Sequence, residues 1–201
     1  MVRVPGIERS ARKAELAHRL PPSTAAGYVA GGVRTPTPRR PNMATTVSST
    51  SPRVGELAPD FSLDSTAGSP VRLSDHRGQR NVLLAFFPLA FTSTCTAEVC
   101  EFSNDFDRYA GANVAVLPIS VDSVPTLREF KAKHSIRVEM LSDFRREVSR
   151  LYGVLDDERF FARRAYVLID RRGVIRWYHI EDQLGHRRMT DELLARITEL
   201  D

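Results

Sequence analysis

Residues 82–100 read VLLAFFPLAFTSTCTAEVC, and this stretch decides how the fold is interpreted. Val82 to Phe87 is a continuous apolar run, as expected of a strand that is covered on both faces. After Pro88, a polar loop leads to a helix predicted over 95–109. The stretch therefore runs from the carboxyl end of a buried strand into the first turn of a helix. In α/β sheets, reactive groups gather at that edge.

The sequence on either side alternates between strand and helix patterns. Short apolar runs bounded by turn residues predict further strands at 61–63, 70–73, 114–121, 166–170 and 174–179. Amphipathic segments predict helices at 125–134, 147–152 and 190–200. Helices alternating with strands, followed by a hairpin and a last helix, predict the α/β class. The order favours a thioredoxin-like fold, in which a central mixed β-sheet is flanked by helices.

The first 52 residues differ in composition from the rest. They contain seven of the twelve prolines and neither Phe nor Trp. Such a segment buries too little apolar surface to offset the entropy of ordering it. We therefore expect a disordered, basic, Pro/Arg-rich N-terminal extension over 1–52, ahead of one domain over 53–201. An over-extended start, with Met43 as the alternative N-terminus, is the second interpretation, and a transit peptide is a third.

The positive charge is concentrated in the same region. Residues 1–42 carry eight basic and two acidic side chains, a net charge of +6, whereas the whole chain carries +4. The remaining residues are therefore slightly acidic, so the charge does not predict a nucleic-acid-binding face on the domain. No apolar run approaches the ~20 residues that a membrane helix needs, and we expect no membrane association.

The chain has two cysteines, Cys95 and Cys100, five positions apart. A secreted disulfide scaffold would carry more cysteines, spread along the sequence to close long loops. The close pair instead indicates redox or metal chemistry in a reducing compartment, and we expect a cytoplasmic protein. The five histidines show no ligand spacing with the cysteines or with each other, so we expect no metal site.

Cys95 is the candidate nucleophile. At the start of a helix, unpaired backbone N–H groups and the helix dipole favour the thiolate, which is the reactive form. Thr92 can place a hydroxyl beside the sulfur, and Pro88 removes an N–H donor and shields the pocket from water. The competing interpretation of Cys95 is a small core residue. Position alone leaves both interpretations open.

The motif Pro88-x-x-x-Thr92-x-x-Cys95 resembles the active-site signature of the peroxiredoxin family. The wider phrase FFPLAFT at 86–92 is similar to the alkyl hydroperoxide reductase E branch of that family. The similarity extends from the G-x-x-A-P-D-F motif at 55–61 to the D-x-x-G-x-I-R motif at 170–176. The resemblance implies a thiol-dependent peroxidase that reduces hydrogen peroxide and organic hydroperoxides, with Cys95 as the peroxidatic residue and without a cofactor.

The resemblance also implies roles for further residues. The family carries an arginine ahead of an apolar run that ends in Val/Ile-Asp. By that spacing the residue is Arg164, with the neighbouring Arg163 as the alternative. Arg164 would stabilise the thiolate and the charge on the leaving oxygen, while Thr92 and the N–H of Cys95 would hold the peroxide. Glu98 matches an acidic position of the branch, and a surface carboxylate is the other interpretation.

Cys100 has two interpretations. Five residues along a continuous helix place it about 140° round the axis and about 7.5 Å further along it. Cα atoms more than about 7 Å apart are not bridged by a disulfide without backbone movement. The same C-x4-C spacing occurs in the bacterioferritin comigratory (Q-type) peroxiredoxins, where the second cysteine resolves the sulfenic acid of the first. We expect Cys100 to be the resolving cysteine, with an inert buried thiol as the alternative.

Other thioredoxin-fold functions fit less well. A disulfide oxidoreductase normally carries C-x-x-C and a copper-delivery protein C-x-x-x-C, so a redox sensor without fast turnover is the main alternative. As partners, the resemblance implies a hydroperoxide substrate and a thioredoxin or glutaredoxin-like reductant. Phe91, Phe160 and Phe161 are candidates for a homodimer interface or for the lining of the pocket.

Overall fold

The computed structural model describes residues 51–200. The expected extension over 1–52 therefore lies outside the described residues, apart from Ser51 and Pro52, and its boundary stays a prediction. In chain order the elements are β1 (Ser62–Ser65), β2 (Val71–Arg72), β3 (Asn81–Phe86), α1 (Ser93–Asn104), α2 (Phe106–Gly111), β4 (Val114–Ser120), α3 (Val124–Lys133), β5 (Leu141–Ser142), α4 (Glu147–Leu151), β6 (Leu155–Asp156), β7 (Phe161–Ala162), β8 (Ala165–Ile169), β9 (Ile175–Ile180) and α5 (Thr190–Thr198).

Seven of these strands form one mixed sheet in the order β2-β1-β5-β4-β3-β8-β9, and β6 pairs with β7 in a separate small hairpin. The central strand β3 runs parallel to β4, with Leu84 opposite Leu117. On its other side β3 runs antiparallel to β8, with Leu84 opposite Val167. The structure therefore confirms the α/β class and the mixed central sheet.

The strand β3 is covered on both faces, as its apolar run predicts. Successive side chains of a strand point to opposite faces of the sheet. Leu83 and Ala85 pack into one core cluster with residues of α1, α3 and α5, whereas Leu84 and Phe86 pack into a second cluster on the other face. Cys95 belongs to the first cluster, so the sulfur lies on the α1 side of the sheet.

The helix predicted over 95–109 is in fact two helices. The first begins two residues earlier, at Ser93, and the second follows a break at Asp105, whose backbone has φ −92° and ψ 13°. Asn and Asp are weak helix formers because their side chains compete for backbone hydrogen bonds, and Asn104-Asp105 supplies both. A third polar residue, Ser103, accepts a hydrogen bond from the N–H of Arg137 at 2.8 Å.

The other predicted elements match the structure to within about two residues. The strand expected at 70–73 is shorter, because Leu73 already opens a 3-10 turn that ends at His76. The strands β5, β6 and β7 were not predicted, since two residues are too few to show a period. Within residues 51–200, no helix has the length and apolar content needed to cross a membrane.

Candidate active site

The chain enters the site through a tight loop between β3 and α1. Phe91 has the left-handed backbone angle φ 66°, which turns the chain at the end of this loop. The N–H of Ala90 donates to Asp122 at 2.8 Å and ties the loop to the end of β4. Thr92 is the N-cap residue, so Cys95 is the third residue of α1. Its N–H therefore belongs to the first turn, where no intrahelical acceptor exists.

The sulfur of Cys95 is in contact with a buried arginine. The side chain of Cys95 is 1% exposed, and its Sγ accepts a hydrogen bond from Nη2 of Arg164 at 3.3 Å. Arg164, also 1% exposed, directly precedes β8, whereas its neighbour Arg163 is exposed to solvent. The structure thus brings Arg164, and not Arg163, to the sulfur. A permanent cation at this distance stabilises a thiolate by Coulomb attraction.

Glu98 lies one helical turn after Cys95 and points into the same buried site. It is 1% exposed, so its interpretation as a surface carboxylate is wrong. One carboxylate oxygen accepts a hydrogen bond from Nη1 of Arg164, and the other accepts one from the hydroxyl of Tyr166. Burial raises the pKa of Glu98 to about 7, although Arg164 and Tyr166 both act to lower it.

Tyr166 was not among the predicted site residues. Its hydroxyl donates to Glu98 and accepts a hydrogen bond from the backbone N–H of Arg188 at 3.0 Å. Its ring stacks on that of Trp177, with 6.2 Å between the centroids. A signal for Tyr166 exists in the sequence, because residues two apart on a strand share a face and Tyr166 follows Arg164 by two.

A second unpredicted contact comes from the segment between β9 and α5. The carbonyl of Leu184 accepts a hydrogen bond from Nη2 of Arg164 at 3.3 Å, so the same nitrogen contacts both Leu184 and Cys95. The segment is held to α1 by Glu101, which pairs with Arg187 and accepts the N–H of Thr190. No sequence pattern predicts a backbone contact of this kind.

Thr92 and Pro88 shape the entrance to α1. The hydroxyl of Thr92 donates to the carbonyl of Leu89 at 2.9 Å, and its own carbonyl accepts the N–H and the hydroxyl of Thr96. Thr92 is exposed and makes no hydrogen bond to Cys95, whereas Pro88 is buried. The structure thus places Thr92 at the start of the helix and joins both Cys95 and Glu98 to Arg164 by hydrogen bonds.

The site is built around the buried guanidinium of Arg164, whose three nitrogens differ in their hydrogen-bond partners. Nη1 and Nη2 of Arg164 bind Glu98, Cys95 and Leu184, but its buried Nε finds no hydrogen-bond partner among the described residues. The guanidinium therefore keeps a donor for a further acceptor. Within residues 51–200, no three His, Cys, Asp or Glu side chains are arranged to hold a metal ion.

Comparison with known proteins identifies the family to which the chain belongs. Residues 54–178 match the model of the AhpC/TSA family, well over half of the chain. The chain belongs to the AhpC/TSA family. Alkyl hydroperoxide reductase E of Mycobacterium tuberculosis is 34% identical over 149 residues, which cover 72% of this chain and 97% of that protein. A chloroplastic 2-Cys peroxiredoxin of Hordeum vulgare is 33% identical over 159 residues, 74% of this chain and 75% of the relative.

Solved structures of AhpC/TSA proteins share the fold. The reduced 2-Cys peroxiredoxin of Plasmodium vivax superimposes with a TM-score of 0.67 and 34% identity, over 72% of this chain and 80% of that one. This agreement confirms the thioredoxin-like fold expected from the sequence. It also confirms the resemblance to peroxiredoxins that the motif at Pro88, Thr92 and Cys95 indicated.

The second cysteine of this AhpC/TSA protein lies on the same helix. Cys100 is half-buried in α1, and both cysteines are free thiols. Burial raises the pKa of the Cys100 thiol. Since α1 is continuous from Ser93 to Asn104, the two sulfurs project from different sides of an intact helix. A bond between Cys95 and Cys100 requires the helix to open.

Proposed function

We propose that this chain is a thiol-dependent peroxidase in which Cys95 reduces hydrogen peroxide and organic hydroperoxides. The observation that carries the proposal is the 3.3 Å contact between Nη2 of Arg164 and Sγ of Cys95 in the first turn of α1. Relatives named alkyl hydroperoxide reductase and peroxiredoxin support the same activity and do not favour a sensor without turnover or a disulfide oxidoreductase.

In the first step, the Cys95 thiolate attacks one peroxide oxygen in line with the O–O bond. An S–O bond forms, the O–O bond breaks, and the sulfur is oxidised to sulfenic acid. The leaving oxygen takes up a proton and departs as water or an alcohol. Arg164, whose Nη2 lies 3.3 Å from the sulfur, stabilises the charge that moves onto this oxygen. Thr92 and the N–H of Cys95 hold the peroxide near the sulfur.

In the second step, we assign Cys100 as the resolving cysteine. Its thiol condenses with the sulfenic acid of Cys95, releases water and leaves a disulfide. A dithiol reductant of the thioredoxin or glutaredoxin type then returns both sulfurs to thiols by disulfide exchange. If Cys100 is inert, the external thiol attacks the sulfenic acid directly. Two closely spaced cysteines in an otherwise cysteine-free chain suit a redox protein of a reducing compartment, and we therefore assign the enzyme to the cytoplasm.

The proposed activity is tested by stopped-flow reaction of the reduced protein with hydrogen peroxide and with an organic hydroperoxide. We expect rapid oxidation of the wild type and none with Cys95→Ser, whereas Cys100→Ser should keep the first oxidation and lose efficient recycling. A wild-type protein that reacts no faster than free cysteine, or a Cys95→Ser variant that still reacts, would overturn the assignment.

The role of Cys100 is tested separately, by mass spectrometry after one equivalent of peroxide. A loss of two hydrogens confined to the peptide that contains both cysteines supports the intramolecular cycle. Sulfenic acid that persists on Cys95 while Cys100 stays reduced contradicts it, and leaves the peroxidase assignment intact.

We also propose that the enzyme forms a homodimer through exposed phenylalanines. Phe160 is 62% exposed and Phe144 is 61% exposed. Arg146 joins them, since its Nη1 donates to the carbonyl of Phe144 at 3.0 Å and its Nε to that of Phe160 at 2.7 Å. Phe91, at 44% exposed, and the half-buried Phe161 are less accessible for such an interface.

A further inference from the structure

Tyr166 takes no part in the chemistry proposed above, yet it is fully buried beside the site. Its hydroxyl donates to Glu98 and accepts the N–H of Arg188 at 3.0 Å, so both of its hydrogen-bonding directions are fixed. Burial, followed by the negative charge of Glu98, raises the pKa of Tyr166, so the hydroxyl keeps its proton and acts as a donor.

The contacts of Tyr166 form a continuous series that ends at the sulfur. Tyr166 binds one oxygen of Glu98, Nη1 of Arg164 binds the other, and Nη2 of Arg164 lies 3.3 Å from Sγ of Cys95. All four side chains are at most 1% exposed. Because these contacts are buried, solvent does not compete with them, and a loss at one end leaves the next group unpaired.

Packing alone does not account for the hydroxyl. The ring of Tyr166 stacks on Trp177 at an interplanar angle of 20°, and phenylalanine would keep this stacking and the same burial. A buried hydroxyl and a buried carboxylate both cost free energy unless they are fully hydrogen-bonded. The hydroxyl of Tyr166 and one carboxylate oxygen of Glu98 satisfy each other's hydrogen bonding. The other oxygen of the same carboxylate binds Arg164, so the orientation of Glu98 sets the direction of the guanidinium.

We propose that Tyr166 is a positioning residue for the peroxide reaction: its hydroxyl, held by the Arg188 amide, orients Glu98, and Glu98 orients the guanidinium of Arg164 toward Cys95. The inference rests on the roles proposed for Cys95 and Arg164. It adds a residue whose hydroxyl is hydrogen-bonded to Glu98 and to the Arg188 amide, but not to the sulfur or the guanidinium, and that acts through Glu98.

The proposal has a pH signature because Glu98 must be ionised to hold Arg164 firmly. The groups that act on Glu98 are Arg164 and Tyr166 at β8 and Arg187 before α5, and Cys95 on α1 contacts the other terminal nitrogen of Arg164. Burial raises the pKa of Glu98 to about 7, and the hydrogen bond from Tyr166 lowers it. The peroxide rate should therefore rise with pH as Glu98 ionises, and loss of the Tyr166 hydroxyl should move that rise to higher pH.

The test compares pH profiles of the second-order rate constant for hydrogen peroxide in the wild type, Tyr166→Phe, Glu98→Gln and the double variant. We expect Tyr166→Phe to react about tenfold more slowly near neutral pH, the size of effect given by one hydrogen bond to a charged group. Its inflection for Glu98 should shift upward, and Glu98→Gln should lack that inflection. The double variant should react no more slowly than Glu98→Gln, because Tyr166 acts only through Glu98.

Tyr152→Phe is the matched control. It also removes a buried hydroxyl, one that donates to the carbonyl of Pro59 at 2.7 Å, but Tyr152 lies in the core cluster on the opposite face of the sheet. Its rate and pH profile should equal those of the wild type. Trp177 emission reports whether Tyr166→Phe keeps the native packing, because Trp177 is the one tryptophan of the chain.

The outcomes distinguish a failure of the positioning role of Tyr166 from a failure of the proposed peroxidase activity. A folded Tyr166→Phe variant with the wild-type rate and profile overturns the positioning role while peroxidase activity stands. A purely structural role predicts a lower rate with an unshifted inflection, or additive losses in the double variant, and either result also overturns it. A wild-type protein that does not react with peroxide removes the proposed function itself.

Discussion

At the scale of single residues, the site depends on a charge that is buried at high cost. Arg164 is 1% exposed, and taking a guanidinium out of water is unfavourable unless its donors find partners. Two of its nitrogens find them in Glu98, Cys95 and Leu184. The planar fork of arginine reaches these three acceptors from one fixed position, whereas lysine offers a single ammonium group.

We therefore expect Arg164→Lys to lower the second-order rate with hydrogen peroxide by about 100-fold, the usual effect of removing one donor from a transition state. Arg163→Lys is the matched control because its side chain is exposed, and it should react as the wild type does. Stopped-flow oxidation measures both, with circular dichroism as the check on folding. Equal rates for Arg164→Lys and the wild type would contradict the assignment.

Glu98 makes a prediction about stability with a definite sign. Its pKa is raised from 4.5 to about 7 by burial, so between these pH values the folded protein binds more protons than the unfolded chain. The free energy of unfolding therefore falls as pH rises through this window and levels off above it. The same ionisation that fixes Arg164 for reaction thus makes the fold less stable.

Urea unfolding measures the free energy of unfolding at one pH below this window and at one pH above it. Between the two, the wild type should lose on the order of 1–3 kcal/mol more of this free energy than Glu98→Gln, whose side chain does not titrate. Glu199→Gln, which removes a largely exposed carboxylate, is the control and should follow the wild type. Parallel pH dependence in the wild type and Glu98→Gln would show that Glu98 does not titrate in this range.

At the scale of elements, the sequence predicts a strand or a helix correctly where the residues of that segment alone show its pattern. Five of the six buried residues of β3, Val82 to Phe86, are apolar without interruption, and Pro88 marks the break after Phe86. The start of α1 was placed two residues late, because Thr92, Ser93 and Thr94 all resemble N-cap residues and only the backbone angles select Thr92. Leu184 was not predicted because its contact with Arg164 joins distant segments, and Tyr166 was not predicted although it shares a strand face with Arg164, because its contact with Glu98 also spans distant segments.

The helix α1 carries both cysteines, and its intact form keeps them apart. If Cys100 resolves Cys95, the first two turns must unwind when the disulfide forms. We expect amide hydrogen exchange in the peptide over Ser93–Asn104 to become about tenfold faster or more after one equivalent of peroxide. Exchange in α5 serves as the internal reference. In Cys100→Ser, α1 should keep its protection after oxidation, and unchanged exchange in oxidised wild type would speak against the resolving role.

At the scale of the whole molecule, the sheet buries both of its faces, yet large apolar side chains remain outside. Phe144 and Phe160 are each more than 60% exposed and lie close together through Arg146. Arg146 and Phe160 adopt left-handed backbone angles, φ 62° and φ 59°, which are unfavourable for residues other than glycine. Strain of this kind persists where a functional arrangement requires it. A self-complementary contact between two copies would bury these rings.

We expect the wild type to sediment as a dimer and Phe160→Glu to sediment as a monomer at the same concentration. Burying a phenylalanine side chain stabilises an interface by about 1.5–3 kcal/mol. In a symmetric dimer each substitution occurs twice, so Phe160→Glu removes two buried rings and places two negative charges at the interface. We expect this loss to separate the copies. Phe106→Glu is the control, since Phe106 is 38% exposed, lies on α2 beneath Arg137, and makes none of the contacts that join Phe144, Arg146 and Phe160. Sedimentation velocity decides between the outcomes. A monomeric wild type, or a Phe160→Glu dimer, would exclude this surface as the interface.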